Sequence, residues 1–205
     1  EGGISTMTWI SLIGISLSVF ALIATLSVRS GFRAELVDTI LGANAHVTVY
    51  KQPSKDNKGN VYRSFKDYES VNSIISSLNS VSRAAPLIRG QVMASANATT
   101  TGVDIFGISP ENILSIRRVS DPKTSSGEIR NFSNGLAIGS GVAQALNVSV
   151  GDDIQLISPT GVKTAFGTSP RVKTFEVQYI FTAGRYDMDK IRIYMPFKSA
   201  QKYFD

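Results

Sequence analysis

Few side chains in this sequence could carry covalent or metal chemistry. There is one histidine, His46, and no cysteine in 205 residues. A zinc site or a nucleophile–base pair needs at least two such groups converging. His46 falls in the alternating run Ala45–Tyr50, a strand pattern that gives it a structural or surface role. Asp152-Asp153, Asp187 and Asp189 could attract calcium, yet none has the spacing of a calcium loop. Gly139-Ser140-Gly141 could cradle an anion at a helix start, with an ordinary turn as the simpler reading. No Gly-x-x-x-x-Gly-Lys-Ser/Thr run is present, so ATP is not bound in that way. Acceptor-like sequons at Asn97, Asn131 and Asn147 mean little without the right secretory context. An enzyme is the weakest reading: no catalytic residue, no metal and no cofactor are expected.

The most informative polar stretch is Pro159-Thr-Gly-Val-Lys-Thr-Ala-Phe-Gly-Thr-Ser-Pro-Arg171. Its two prolines and two glycines make a stiffened, protruding hairpin. Phe166 is an apolar residue at the tip, next to Gly167. If it points outwards it is a docking prong, because one exposed aromatic can anchor an interface. If it folds inwards, this is an ordinary long hairpin.

The elements that would position this prong begin with a membrane helix. Ile4 to Val28 holds no charged residue across 25 positions. Such a helix rises about 37 Å, enough to cross a hydrocarbon core of roughly 30 Å with some tilt. Trp9 suits an interface, and the pairs Gly14/Ser18 and Ala21/Thr25 let another helix approach closely. A cleaved signal peptide would be shorter, with a basic start and a small-residue cleavage site. Glu1 is no basic flank, and Ala34 and Ala43 are badly placed. A buried globular helix would rarely run so long without a charge. Arg29 and Arg33 bias the following side towards the cytoplasm, but that rule is weak for long translocated domains, so charge alone leaves topology open. The net charge of +5 is scattered rather than blocked. It reads as a solvated basic surface near anionic headgroups, with no nucleic-acid partner.

Residues 29–44 read as a stalk that continues the helix. Phe32, Leu36, Val37, Ile40 and Leu41 keep helical spacing, and Gly42 with Asn44 marks the stop. Ala45–Tyr50 reads as a strand and Lys51–Asn60 as a loop. A helix starting at Ser64 or Asp67 carries Val71, Ile74, Ile75 and Leu78, a stripe that docks on a sheet. Strands are expected at Ser82–Ile88, Gln91–Ala96 and Gly102–Gly107, and a short helix opens at Ser109-Pro110-Glu111. Ser120–Asn134 is polar and rich in turn formers, a linker between portions 45–119 and 135–205. The second portion should hold a strand and turn at Gly135–Ser140 and a helix at Gly141–Asn147. Strands at Asp153–Ser158, Thr174–Phe181 and Arg192–Met195 follow, with a terminal helix at Lys198–Phe204. Strands and short helices without regular alternation argue an α+β domain behind the membrane helix.

Several blocks, in order, resemble one family. The run Leu26-Ser-Val-Arg-Ser-Gly-Phe-Arg-Ala-Glu-Leu36, followed by Ile40-Leu-Gly-Ala-Asn-Ala-His-Val-Thr-Val49, resembles the end of the first membrane helix of LolC/LolE permeases. So do Ala85-Pro86, Arg89-Gly-Gln-Val92, Gly102-Val103 and Phe106-Gly-Ile-Ser-Pro110. Gly139-Ser-Gly-Val-Ala-Gln-Ala-Leu-Asn-Val-Ser-Val-Gly-Asp-Asp-Ile-Gln-Leu-Ile-Ser-Pro159 is similar, more loosely, to MacB- and FtsX-like permeases. Phe181-Thr-Ala-Gly-Arg-Tyr-Asp-Met-Asp189 resembles the family's glycine-aromatic-acid turn.

The resemblance implies four membrane helices in the whole protein, with a MacB-like periplasmic domain between the first two. That domain has a mixed "Porter" part, here 45–119, and a β-rich "Sabre" part, here 135–205, with 120–134 between them. This chain would stop before the remaining Porter elements and three helices. The job implied is the permease subunit of an inner-membrane ABC transporter that releases lipoproteins, with the domain in the periplasm. Its partners would be a LolD-like ATPase subunit, a second permease subunit in a homo- or heterodimer, a LolA-like periplasmic carrier and the lipoprotein substrate.

The loop 159–171 resembles the hook that recruits the carrier. Pro159, Phe166, Gly167, Pro170 and Arg171 would form it. Lys173 falls where the family places a basic contact, although lysine lacks arginine's bidentate fork. Leu26, Val28 and Phe32 stand where acyl chains would leave the membrane, with plain lipid-facing packing as the alternative. Two rivals share the domain: a MacB-like efflux or mechanotransmission permease, and an FtsX-like regulator of a peptidoglycan hydrolase.

Overall fold

The computed structural model describes residues 2–41, 45–55, 61–62, 64–164 and 167–204. The chain divides into two units, residues 1–42 and 43–205.

The first unit is one helix, α1, Gly2–Leu41, which runs unbroken through the expected junction between membrane segment and stalk. Thr6–Val37 is long and apolar enough to span a membrane, with a hydropathy of 2.2 and none of its most apolar window buried. Two of its hydroxyls are satisfied within the helix: Ser18 Oγ donates to the Gly14 carbonyl and Thr25 Oγ1 to that of Ala21, each at 2.8 Å. In hydrocarbon, where no water offers a partner, this back-bonding is what makes such residues tolerable. The stop expected at Gly42 and Asn44 lies outside the described residues.

The second unit is α+β. Its first part contains β1 (Ser54–Lys55), β2 (Val61–Tyr62), α2 (Tyr68–Ser76), β3 (Ile88–Ala96), β4 (Thr99–Ile108), α3 (Pro110–Leu114) and α4 (Arg117–Ser120). There follow β5 (Thr124–Gly127), a 3-10 helix (Ile129–Asn134), β6 (Leu136–Gly139), α5 (Ser140–Leu146), β7 (Asp153–Thr164) and β8 (Gly167–Thr182). The last elements are α6 (Tyr186–Ile191), β9 (Arg192–Pro196) and α7 (Phe197–Phe204). Seven strands form one sheet in the order β5-β8-β6-β9-β4-β3-β7, and β7 pairs again with β8, so six of them close a ring of hydrogen bonds.

Strand alternation divides the apolar residues between two cores. Val103 and Ile105 of β4 and Ile193 and Met195 of β9 face a core shared with α5 and α7. Ile108 and Tyr194 face the other, with Ile113, Val119, Phe132 and Met188 from the short helices. In β8, Val177 belongs to the first core, while Tyr179 and Phe181 belong to the second. The pairing with β6 slips there, so that Leu136 faces Val177 but Ala137 faces Tyr179. One extra residue in a strand reverses which face its later side chains occupy.

Some expectations are corrected. The linker expected at 120–134 is part of the domain: β5 pairs with β8 from Thr124↔Thr182 to Gly127↔Tyr179, and Phe132 is fully buried. Its polarity reflects an edge strand laid along β8 by backbone bonds, with all four residues exposed. The strand expected at Ala45–Tyr50 is absent; those residues are exposed and belong to no ladder. Within Lys51–Asn60, Ser54–Lys55 is a strand paired with Val61–Tyr62, and 56–60 lie outside the described residues. Ser82–Leu87 is likewise unpaired, and pairing begins only at Ile88. Pro86 lacks the N–H that a ladder needs. Finally, the stripe on α2 is only partly covered: Val71 and Ile75 are half-buried, Ile74 and Leu78 are 66% and 55% exposed, and no residue of α2 is fully buried. Both sheet faces are already taken, one by α5 and α7 and the other by α3, α4 and α6.

Candidate functional site

The β7–β8 hairpin is the element that carries the expected prong. Its lower half belongs to the domain. Residues 153–158 pair with 171–176, and β3 adds a third strand through Met93↔Ile157, Ala94↔Leu156 and Ser95↔Gln155. Above Ser158↔Arg171 the register shifts, and pairing resumes at Val162↔Ser169, Lys163↔Thr168 and Thr164↔Gly167. Pro159 and Pro170 both fall inside this irregularity, where the absence of a donor is harmless. Beyond it, among the described residues, the hairpin continues as two strands. Six residues of strand reach roughly 15–20 Å.

The structure separates the expected hook residues into different settings. Pro159 and Gly167 lie on the two arms, and Pro170 is exposed at the irregularity. Phe166 lies outside the described residues. Lys173 is exposed and holds its ammonium 5.1 Å from the centre of the Phe175 ring. Arg171 is turned towards the domain: its Nη1 donates to the Tyr203 carbonyl at the end of α7, at 2.5 Å. That contact links residues 32 apart in sequence. No local pattern announced it.

On α1, Leu26, Val28 and Phe32 are 52%, 71% and 68% exposed. Val28 and Phe32, four apart, share a face, whereas Leu26 projects from the far side. The helix therefore brings two of the three together.

The carboxylate and glycine motifs have structural duties. The Asp189 carboxylate accepts from the backbone N–H of Ala183 at 2.7 Å and of Gly184 at 3.2 Å, which ties the start of α6 to the turn before it. Gly184 has φ +84°, a conformation open to glycine. At Gly139 a Cβ would lie 2.2 Å from the Asp189 carbonyl, and at Gly141 one would lie 3.0 Å from Lys190 Cα. These glycines thus let α6 approach α5, which accounts for them without an anion. His46 is exposed.

Sequence reading also missed a cluster on β3, β4 and β9. Arg89 Nη2 meets Asp104 Oδ2 at 2.7 Å, and the Arg89 and Arg192 guanidinium carbons lie 5.3 and 4.3 Å from the Phe106 ring centre. The hydrogen bond to Asp104, joined by its charge, pushes the Arg89 pKa up. Cross-strand pairing of Arg89 with Phe106 and of Phe106 with Tyr194 assembles it, and register is not legible before the topology is known.

The long apolar helix and the α+β domain together match a known family. The family described as the MacB-like periplasmic core domain matches residues 8–205. The chain belongs to that family. Two curated proteins, each named lipoprotein-releasing system transmembrane protein LolC, are relatives of this MacB-like chain. The one from Neisseria meningitidis serogroup B is 28% identical over 192 residues, covering 92% of this chain and 44% of its own. The one from Xylella fastidiosa (strain Temecula1) is 28% identical over 193 residues, covering 93% and 44%. The chain thus spans less than half the length of the curated relatives it matches. A solved structure, the extracellular domain of the noncanonic ABC-type transporter YknZ from Gram-positive bacteria, aligns at a TM-score of 0.43. It has 17% identity and covers 66% of this chain and 65% of that one.

Proposed function

We propose that this chain is the first membrane helix and adjoining periplasmic domain of the permease subunit of an ABC transporter. That transporter would release lipoproteins from the bacterial inner membrane to a soluble carrier of the LolA kind. ATP hydrolysis would occur on a LolD-like partner subunit, and a second permease subunit would complete the membrane part. On this reading the Porter and Sabre portions meet within one sheet.

The observation that supports it most is the hairpin above Ser158↔Arg171, which stays paired as a two-stranded prong with no third strand among the described pairings. Among the described residues, a prong of this kind pairs with no strand of the sheet beyond its own two. It suits docking, with Phe166 as the apolar anchor and Lys173 as a charge beside it. The names of the LolC relatives point to lipoproteins as cargo. Val28 and Phe32, adjacent on one face of α1, would meet acyl chains, and the unbroken helix from membrane to stalk would carry motion driven by the ATPase.

The test is capture of a purified LolA-like carrier by the full chain in detergent. Replacing 159–170 with Gly-Ser of equal length, keeping Arg171, should abolish capture. Phe166→Ala should weaken it roughly 30-fold, as for the loss of an interface hot spot. Undiminished capture by the Gly-Ser variant refutes the hook. Co-purification of a peptidoglycan hydrolase in its place would select the FtsX-like reading.

A further inference from the structure

We infer that Arg171 is a positioning residue rather than a docking contact: it latches the base of the prong to the end of α7 and so sets the prong's pose. The functional consequence rests on the reading of the prong as a docking element; the latch itself does not.

Ser158↔Arg171 is the last regular pair before the register shift. An irregularity of this kind bends a strand and increases its twist, and a two-stranded ribbon has little else to fix its direction. The joint therefore needs an external tie. Ser158 is buried on one side of it. On the other, the Arg171 guanidinium reaches the Tyr203 carbonyl. The last carbonyls of a helix have no partner within it, and an arginine there satisfies one while favouring the negative end of the helix.

The point it grips is firmly held. The Tyr203 ring is 1% exposed and meets Phe175 edge-on at 6.0 Å and Phe204 at 5.0 Å. Phe204 lies over Gly90, where a Cβ would sit 2.4 Å from its ring, and Ala200 is as close over Gly107. α7 is therefore seated on β3 and β4, and the latch transfers that rigidity to the prong. A prong held in one pose loses less freedom on docking, which strengthens binding without adding a contact.

The chain has no cysteine, so nitroxides can be placed on the full chain through Thr164→Cys and Gln201→Cys, one on the prong and one on the exposed face of α7. Pulsed electron–electron distances should be narrow in the parent. Arg171→Met keeps the aliphatic stem and removes the donors, and it should broaden the distribution about twofold and weaken carrier binding roughly tenfold, the worth of one charge-assisted hydrogen bond. Arg171→Lys, which keeps one cationic donor, should restore much of both. Unchanged distances in Arg171→Met overturn the latch, and if affinity still falls, Arg171 touches the carrier directly. Broadened distances with unchanged affinity sustain the latch and reject the docking reading. Should Arg171→Met fail to fold, Arg171→Gln, which removes the charge, takes its place: broadened distances in Arg171→Gln sustain the latch, and parent-like distances overturn it.

Discussion

Gly107 and Ala200 leave no room for another atom between them: a Cβ at 107 would lie 2.4 Å from the Ala200 Cβ and 3.1 Å from that of Ile88. Neither neighbour has a flexible end that could swing away. Gly107→Ala should therefore lift α7 off the sheet, at a cost of about 1–3 kcal/mol, the usual penalty of overpacking. Gly102→Ala is the matched control in the same strand, since a Cβ there meets nothing within 4 Å. It should lie within about 0.5 kcal/mol of the parent. Urea midpoints for the two variants check the contrast, and equal midpoints would show that α7 does not rest on Gly107.

Asp189 offers a second structural test. Its carboxylate accepts from Ala183 and Gly184, and it is 8% exposed. Asp189→Ala leaves those N–H groups without that acceptor and should cost about 1–3 kcal/mol. Asp189→Asn keeps one acceptor oxygen and should cost less. Hydrogen exchange at residues 183 and 184 should rise more than elsewhere in Asp189→Ala. A uniform rise would mean that the carboxylate serves the whole domain rather than this turn.

These two sites show what the sequence displayed and what it hid. Local signals were readable: Ser109 caps α3 by accepting from the Asn112 N–H, as the Ser-Pro-Glu run indicates. The long apolar run became one helix, and the strands around Gln91, Gly102, Thr174 and Arg192 lie where alternation put them. Ser120–Asn134 reads as a linker because an exposed edge strand has the composition of a loop, and its bonds to β8 are made by the backbone. The α2 stripe reads as a docking face because periodicity reports amphipathicity but not whether a partner surface is vacant. At the prong, Pro159 and Pro170 read as stiffening a hairpin; that both fall in the break in pairing, and that Arg171 grips Tyr203, depends on tertiary placement.

Three buried tyrosines predict behaviour at alkaline pH. Burial pushes the phenol pKa of Tyr179, Tyr194 and Tyr203 above the ordinary 10.0. For Tyr194 the Arg192 charge opposes this, and for Tyr203 the Arg171 charge does. A raised folded-state value means that the unfolded chain loses these protons first. The stabilisation is complete below pH 10 and is lost as pH rises towards the folded-state values. Each ionisation removes up to about 1.4 kcal/mol per pH unit. Phenolate absorbance during alkaline titration should show these groups ionising together with loss of the fold, and Tyr194→Phe should flatten the decline. A decline that begins well below pH 9 would place its cause elsewhere.

The α1 helix gives the sharpest test of the membrane assignment. Met7, Trp9, Ile10, Leu12, Ile13, Ile15, Leu17, Val19 and Phe20 are each at least 49% exposed, and together they cover every side of the helix. A helix that is apolar all round belongs inside a bilayer, whereas one lying on the surface needs a polar face. Leu17→Lys puts a charge near the middle of the apolar stretch, where it costs about 2.5–3.5 kcal/mol. Val28→Lys puts the same charge near its end, where the long side chain can snorkel to the headgroups at little cost. Alkaline carbonate extraction of membranes should release much of the Leu17→Lys protein and little of the Val28→Lys protein. Equal release of both would mean that the helix lies along the membrane or outside it, and the proposed path for acyl chains past Val28 and Phe32 would fall with it.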